Sequence, residues 1–165
     1  MICGVQTNII TDAVVADGDS PDCPQLIPML DSTITMGFRV EELSADKAYN
    51  SIDNYNAVSA VDGTAYIPFK SNITGQTKGS RAKLWRRAFH YFQLNQDEFY
   101  EHYHLRSNIE SANMAVKSKL GDYVRAKTET ACINEILLKA LCHNIRVLIQ
   151  ETFELGIKPE FLVWG

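Results

Sequence analysis

Residues 103–117 read YHLRSNIESANMAVK, and Tyr103, Arg106, Glu110 and Lys117 stand within them at offsets 0, 3, 7 and 14. At about 100° per residue these four polar side chains fall in a helical sector of roughly 60°. The apolar set Leu105, Ile109, Ala112, Val116 and Leu120 gathers about 120° further round. A helix so patterned docks through one face and presents a Tyr-Arg-Glu-Lys line along a neighbouring edge. The same spacing also fits a solvated face on which Arg106 and Glu110 form an i,i+4 pair worth only about 0.2–0.5 kcal/mol. Geometry alone favours that plainer description.

Outward from this stretch, a helix is predicted from about Gln96 to Lys119, ended by Gly121, with another helix over 81–94 before it. The last helix, about 129–155, carries Ile133, Ile136, Leu137, Ala140, Leu141, Ile145, Leu148, Ile149 and Phe153. It closes at Gly156 with Pro159 beyond. Upstream, MICGVQ (1–6) and IITDAVVA (9–16) are β-rich runs that predict an antiparallel hairpin turning at Thr7-Asn8, the second run ending at Asp17-Gly18-Asp19. From Gln25, Leu26, Leu30 and Ile34 share one helical face up to Gly37. A strand over 39–45 (RVEELSA) ends at Asp46, a short helix spans 47–56, and TAYIPF (64–69) is a strand that Pro68 keeps short. The order β-β-α-β-α-β-α-α-α predicts an α/β fold, a mixed sheet covered by helices, as one domain over residues 1–165.

Charge is divided along the chain. The formal net charge is -4, yet residues 1–62 carry ten acids against Arg39 and Lys47, whereas residues 70–127 carry eleven bases against five acids. Lys70, Lys78, Arg81, Lys83, Arg86 and Arg87 follow one another with no acid between them. Such a stretch can meet a phosphate backbone, although a solvated loop and helix face is the plainer reading of charge alone. Trp85, Phe89, Tyr91 and Phe92 could stack on bases, but their helical spacing favours core packing.

Several classes are excluded by pattern. Cys3, Cys23, Cys132 and Cys142 form no CxxC pair and are too scattered for a disulfide scaffold. No apolar run reaches the roughly 18 residues of a membrane span, and the N-terminus has no basic region followed by an apolar one. A soluble protein of a reducing compartment is the expectation. His102 and His104 stand two apart, about 200° round a helix, a poor geometry for sharing a metal, and His90 and His143 stand apart from them. There is no G-x-S-x-G elbow, and GQTKGS (75–80) lacks the phosphate-loop spacing.

Tyr103-x2-Arg106-x3-Glu110-x6-Lys117 resembles the Y-R-E-K signature of insertion-sequence DDE transposases without a spacing error. LSADKAY (43–49) resembles that family's second acidic motif, an Asp at a strand end before a short helix, and AYIPFK (65–70) resembles the strand that follows. The resemblance runs from about residue 1 to 150. It implies an RNase H-like fold in which three carboxylates hold two Mg2+ ions and align a water or a 3'-hydroxyl for in-line attack on a phosphodiester. Asp46 and Glu110 would be catalytic metal ligands. Arg106 and Lys117 would grip DNA phosphates and Tyr103 would contact DNA beside them. Lys70, Lys78, Arg81, Arg86 and Arg87 would extend the DNA-binding set. The partners implied are double-stranded DNA, at transposon ends and target, and a second copy in a homodimer on DNA. No membrane is implied, and the setting would be the prokaryotic cytoplasm and nucleoid.

One departure matters. The family's first catalytic Asp lies on a strand upstream of the stretch that aligns with residue 1, and Asp12, Asp17 and Asp19 come too late in the chain to replace it. They read as strand-end, turn and helix-cap residues. The expectation is therefore an N-terminally truncated catalytic domain, whose complete form cuts and joins DNA. The alternative is a catalytically inactive remnant that acts as a DNA-binding or assembly module, and for the isolated chain this second reading fits better.

Overall fold

A computed structural model describes residues 1–15 and 21–156. Asp17, Asp19 and Pro159 lie outside the described residues. Strand β1 (Ile2–Cys3) pairs antiparallel with β2 (Ile10–Asp12), in the register Ile2↔Asp12 and Cys3↔Ile10. The turn is wider than Thr7-Asn8. The Gly4 N–H donates to the Ile9 carbonyl and the Asn8 N–H to the Gly4 carbonyl, each at 2.9 Å. Asn8 takes φ 56, a left-handed conformation that asparagine tolerates better than most residues.

Helix α1 (Leu26–Thr35) follows a 3-10 turn at Cys23–Gln25 and buries Leu26, Met29, Leu30 and Thr33. Strand β3 (Glu42–Ser44) runs parallel to β4 (Thr64–Tyr66), joined through α2 (Ile52–Ala60). The helix expected over 47–56 is two pieces. Asp46 caps a 3-10 turn at Lys47–Tyr49, and Ser51 starts α2 afresh by accepting from the Asn54 N–H. Each cap satisfies amide groups that a helix start leaves unpaired.

Among the described residues the expected mixed sheet is instead two separate two-stranded ladders. Among the described residues no strand lies between β1 and β3 to bridge them. Their outer edges face a cavity of about 590 Å³, whose lining includes Cys3, Gly4, Glu42 and Ser44. On β3 the Glu41 carbonyl and the Ala45 N–H bond to β4. Alternation along the strand therefore turns the backbone groups of Glu42 and Ser44 the other way, toward that cavity.

The core sits under β3 and β4. Leu30, Val58 and Ile67 are fully buried and Phe99 is 1% exposed. Phe69 meets Tyr55, Trp85, Phe89 and Phe92 at ring-centroid distances of 5.8, 5.2, 5.2 and 5.5 Å. The aromatics of α3 (Lys83–Leu94) are thus core residues, with Trp85, Phe89 and Phe92 buried. At Gly75, φ +69, a Cβ would fall 2.5 Å from the Phe89 ring, so the polar loop 70–80 lies directly on the aromatic cluster.

The long helix predicted from Gln96 is broken into α4 (Gln96–Tyr103), a 3-10 turn at His104–Arg106, and α5 (Ser107–Leu120). At the break the Ser44 hydroxyl donates to the His102 carbonyl, 2.9 Å away. An uninterrupted α-helix would offer that carbonyl to the Arg106 N–H. Helix α6 (Glu129–Glu154) is capped by Thr128 and docks on the hairpin through polar groups. His143 Nε2 donates to the Asn8 carbonyl at 2.9 Å. The Asn144 amide accepts from the Ile10 N–H at 2.8 Å and donates to the Ile10 carbonyl at 2.7 Å. Its expected apolar face is largely turned to solvent: Leu141, Ile145 and Ile149 are each about half exposed.

Candidate functional site

The 3-10 turn tightens the polar stripe beyond what a uniform helix would give. Residues three apart eclipse in a 3-10 helix, and the Arg106 guanidinium lies over the Tyr103 ring, 5.6 Å from its centroid. Four residues on, at α-helical spacing, Arg106 Nη2 donates to Glu110 Oε1 at 2.6 Å. Arg106 is half-buried and Glu110 exposed. Lys117 is exposed on the same helix, about 10 Å further along its axis.

Asp46, just after the end of β3, lines the same cavity as Arg106. One of its oxygens, Oδ1, accepts from the Ala48 N–H at 3.1 Å. Two side-chain bonds fasten β3 to the end of α4: Ser44 to the His102 carbonyl, and Glu42 Oε2 to His102 Nδ1 at 2.8 Å. The His102 ring stacks on Tyr66 at 4.3 Å. The clamp brings Asp46 into the field of Arg106. Burial works against the charge of Arg106, but Tyr103, Glu110 and Asp46 more than offset it, so its proton is held more firmly than usual. Arg106 thus touches Tyr103 and Glu110 and shares the lining of one cavity with Asp46.

Hard cations such as Mg2+ take oxygen ligands, and a paired-metal site needs several carboxylates. The described residues supply Asp46 and Glu110, one oxygen of each already engaged. No cluster of three or more His, Cys, Asp or Glu placed to hold a metal occurs among the described residues. As described, this donor set does not fit a two-metal centre. What the arrangement offers is a cation beside a phenol, the cation lining the cavity next to β3, well suited to a phosphate oxygen.

The basic stretch is less uniform than its sequence. Arg81 is tied to Asp53 at 2.6 Å, and Arg86 donates to the Thr77 carbonyl, holding the 70–80 loop to α3. Arg87 lines a shallow cavity of about 480 Å³ with Asn56, Ser80, Arg81, Lys83 and Leu84. Lys70 and Lys78 are exposed. Among the described residues Lys70, Lys78, Arg87 and Lys117 have no ion-pair partner. Sequence reasoning missed the Glu42–His102–Tyr66 clamp. Its members are dozens of positions apart, and no local spacing signals them.

No helix among the described residues is long and apolar enough to cross a membrane. No curated protein and no solved structure matches this chain. The family model described as "Transposase DDE domain" matches residues 1–145. That span contains both ladders, Asp46 and the whole stripe from Tyr103 to Lys117, and the chain belongs to the DDE-domain transposases.

Proposed function

We propose that this chain serves DNA transposition by gripping the ends of an insertion sequence, where the complete catalytic centre cleaves and rejoins phosphodiesters. The observation that carries the reading is Arg106 standing against Tyr103 and Glu110 with Asp46 in its field. Asp46 and Arg106, sixty positions apart in sequence, line one cavity. Arg106 and Lys117 contact phosphates at the end, Tyr103 packs beside them, and Lys70, Lys78, Arg81, Arg86 and Arg87 contact the flanking duplex. Of these, Arg81 and Arg86 already hold protein partners, so Lys70, Lys78 and Arg87 carry more of the phosphate contact.

DDE transposases typically use a divalent metal, and Mg2+ is the ion proposed here. Asp46 and Glu110 would be two of its ligands, and a third carboxylate has to come from elsewhere. The free edges of β1 and β3 support a source. An extended segment seated in the cavity between them would find the backbone groups of Glu42 and Ser44 ready to pair. It would also join the two ladders into one mixed sheet of RNase H-like form. Without that segment the described residues act as a DNA-binding and assembly module. The setting proposed is the prokaryotic cytoplasm, on nucleoid DNA.

The test is incubation of supercoiled plasmid with the 165-residue chain and Mg2+ or Mn2+, alongside Asp46→Ala, with binding to duplex DNA measured in parallel. The expected result is binding without nicking. Nicking that Asp46→Ala abolishes would show that the chain completes its own centre. Absence of binding would overturn the reading.

A further inference from the structure

The helix that carries the stripe is broken from outside. Residues 96–120 contain no glycine and no proline, the usual local causes of a break. The interruption falls where two strands meet the chain. The Ser44 hydroxyl of β3 donates to the His102 carbonyl at 2.9 Å, Glu42 Oε2 stands 2.8 Å from His102 Nδ1, and Tyr66 of β4 stacks on the His102 ring at 4.3 Å. The His102 carbonyl is the acceptor that the Arg106 N–H would use in an unbroken α-helix. Engaged by Ser44, it no longer holds the next turn to α-helical geometry, and the chain tightens into the 3-10 turn at His104–Arg106. The tightening moves a side chain. Three residues cover about 300° of an α-helix but a full turn of a 3-10 helix, so Arg106 comes about 60° further round and into line with Tyr103. Its guanidinium lies 5.6 Å from the Tyr103 centroid, inside the roughly 6 Å of a cation–π contact. Ser44, Asp46 and Arg106 all line the cavity beside β3.

We propose that Ser44 is a positioning residue for the grip on DNA: by taking the His102 carbonyl it imposes the turn that aims Arg106. Ser44 itself contacts no DNA. The inference rests on the DNA-binding reading above and adds to it the device that orients the cation. Two features separate this role from plain packing. Ser44 carries no charge, so replacing it cannot by itself alter the number of phosphates neutralised. Any change in the salt dependence of binding then arises through a cation that Ser44 orients. Loss of the hydroxyl also leaves no orphaned acceptor, since the freed carbonyl can take the Arg106 N–H as a continuous helix does. Ser44→Ala therefore turns Arg106 away from Tyr103 without unfolding the protein.

The test is duplex-DNA affinity against salt concentration for the 165-residue chain and four variants: Ser44→Ala, Ser44→Thr, Arg106→Ala, and Ser44→Ala combined with Arg106→Ala. Ser44 is half-buried and the changes there are one oxygen or one methyl, so circular dichroism should show every variant folded. Arg106→Ala is expected to lower the slope of log K against log salt by about one unit. Ser44→Ala should weaken binding about two- to tenfold and move the slope toward that of Arg106→Ala. Ser44→Thr, which keeps the hydroxyl and suits a strand, should restore both. With Arg106 already removed, Ser44→Ala should cost nothing more, because the two act through one contact. A second readout needs no DNA: NMR signals of the Arg106 side chain, displaced by the Tyr103 ring in the parent, should shift in Ser44→Ala and return in Ser44→Thr. Unmoved Arg106 signals overturn the proposal. So does a parental slope in Ser44→Ala or in Arg106→Ala, or a double variant in which the two losses add. In those cases the parent still binds and the DNA-binding reading stands; a parent that binds no duplex DNA overturns that reading and the proposal together.

Discussion

Arg106 is the residue on which the site turns, yet its bond to Glu110 is a weak restraint. The Glu110 side chain is 61% exposed, and i,i+4 pairs in that setting are worth about 0.3–0.5 kcal/mol. A phosphate or a metal ion competes with such a bond easily, so Glu110 is held in place without being locked. Glu110→Gln is therefore expected to change stability by less than about 0.5 kcal/mol in urea unfolding, and to leave affinity for duplex DNA undiminished. A larger loss of stability would make the carboxylate structural. Lys117→Ala should weaken DNA binding and reduce the slope of log K against log salt by about one unit. An unchanged slope would remove Lys117 from the phosphate contacts. The stripe itself was legible in sequence because offsets of three and four are neighbours on any helix. Its junction with Asp46 was not: the clamp that makes it joins Glu42 and Ser44 to His102, and long-range side-chain bonds leave no periodic trace.

Helix starts and stops behave similarly. Gly121 and Thr128 end and begin helices as their chemistry dictates, so those boundaries could be read locally, whereas the helix expected across 47–56 passed over the start at Ser51. The break at His104–Arg106 could not, because a hydroxyl from another strand competes for the carbonyl concerned. Between α5 and α6 the chain is held from α6 by Lys139, whose Nζ donates to the Gly121 and Tyr123 carbonyls at 3.2 and 2.7 Å, and by the Glu135 carboxylate. Glu135 accepts from the Ala126 N–H at 2.9 Å and from the Arg125 N–H at 2.9 and 3.1 Å, with Lys139 3.5 Å away. The Ala126 amide bond is the largest cause of its lowered pKa. Burial opposes the shift, and Arg125 and Lys139 reinforce it. A carboxylate whose pKa falls on folding contributes stability that is present above its unfolded value and lost as pH falls through the lowered one. Amide exchange at Arg125 and Ala126, followed by NMR, should accelerate beyond the intrinsic acid dependence as pH drops below about 4. Glu135→Gln should show comparable loosening already at neutral pH. Equal protection in parent and variant would mean that other contacts hold this connection.

Over the whole molecule, burial is lopsided. The aromatic and aliphatic core runs from Leu26 to Phe99, whereas between Leu105 and Gly156 the buried residues are Ala112 and His143. The apolar periodicity of the last helix was plain in sequence, but periodicity cannot tell whether a face has anything to pack on, and here it misled. The sheet was misread for a related reason: alternation marks strands, while the ladder needs neighbours on both sides, and β1 and β3 each have one. Local stability follows buried apolar contacts, so α6 should open at a far smaller free energy than α3. Its anchors to the hairpin are the Asn144 and His143 bonds, each worth about 0.5–1.5 kcal/mol net. Limited proteolysis of the 165-residue chain should cut first in the connection 121–128 and within α6. The stretch from α1 to α4 should survive under the same conditions. Cleavage within α3 at the same rate as in α6 would show that the two regions unfold as one unit and that the thin packing of α6 costs the fold little.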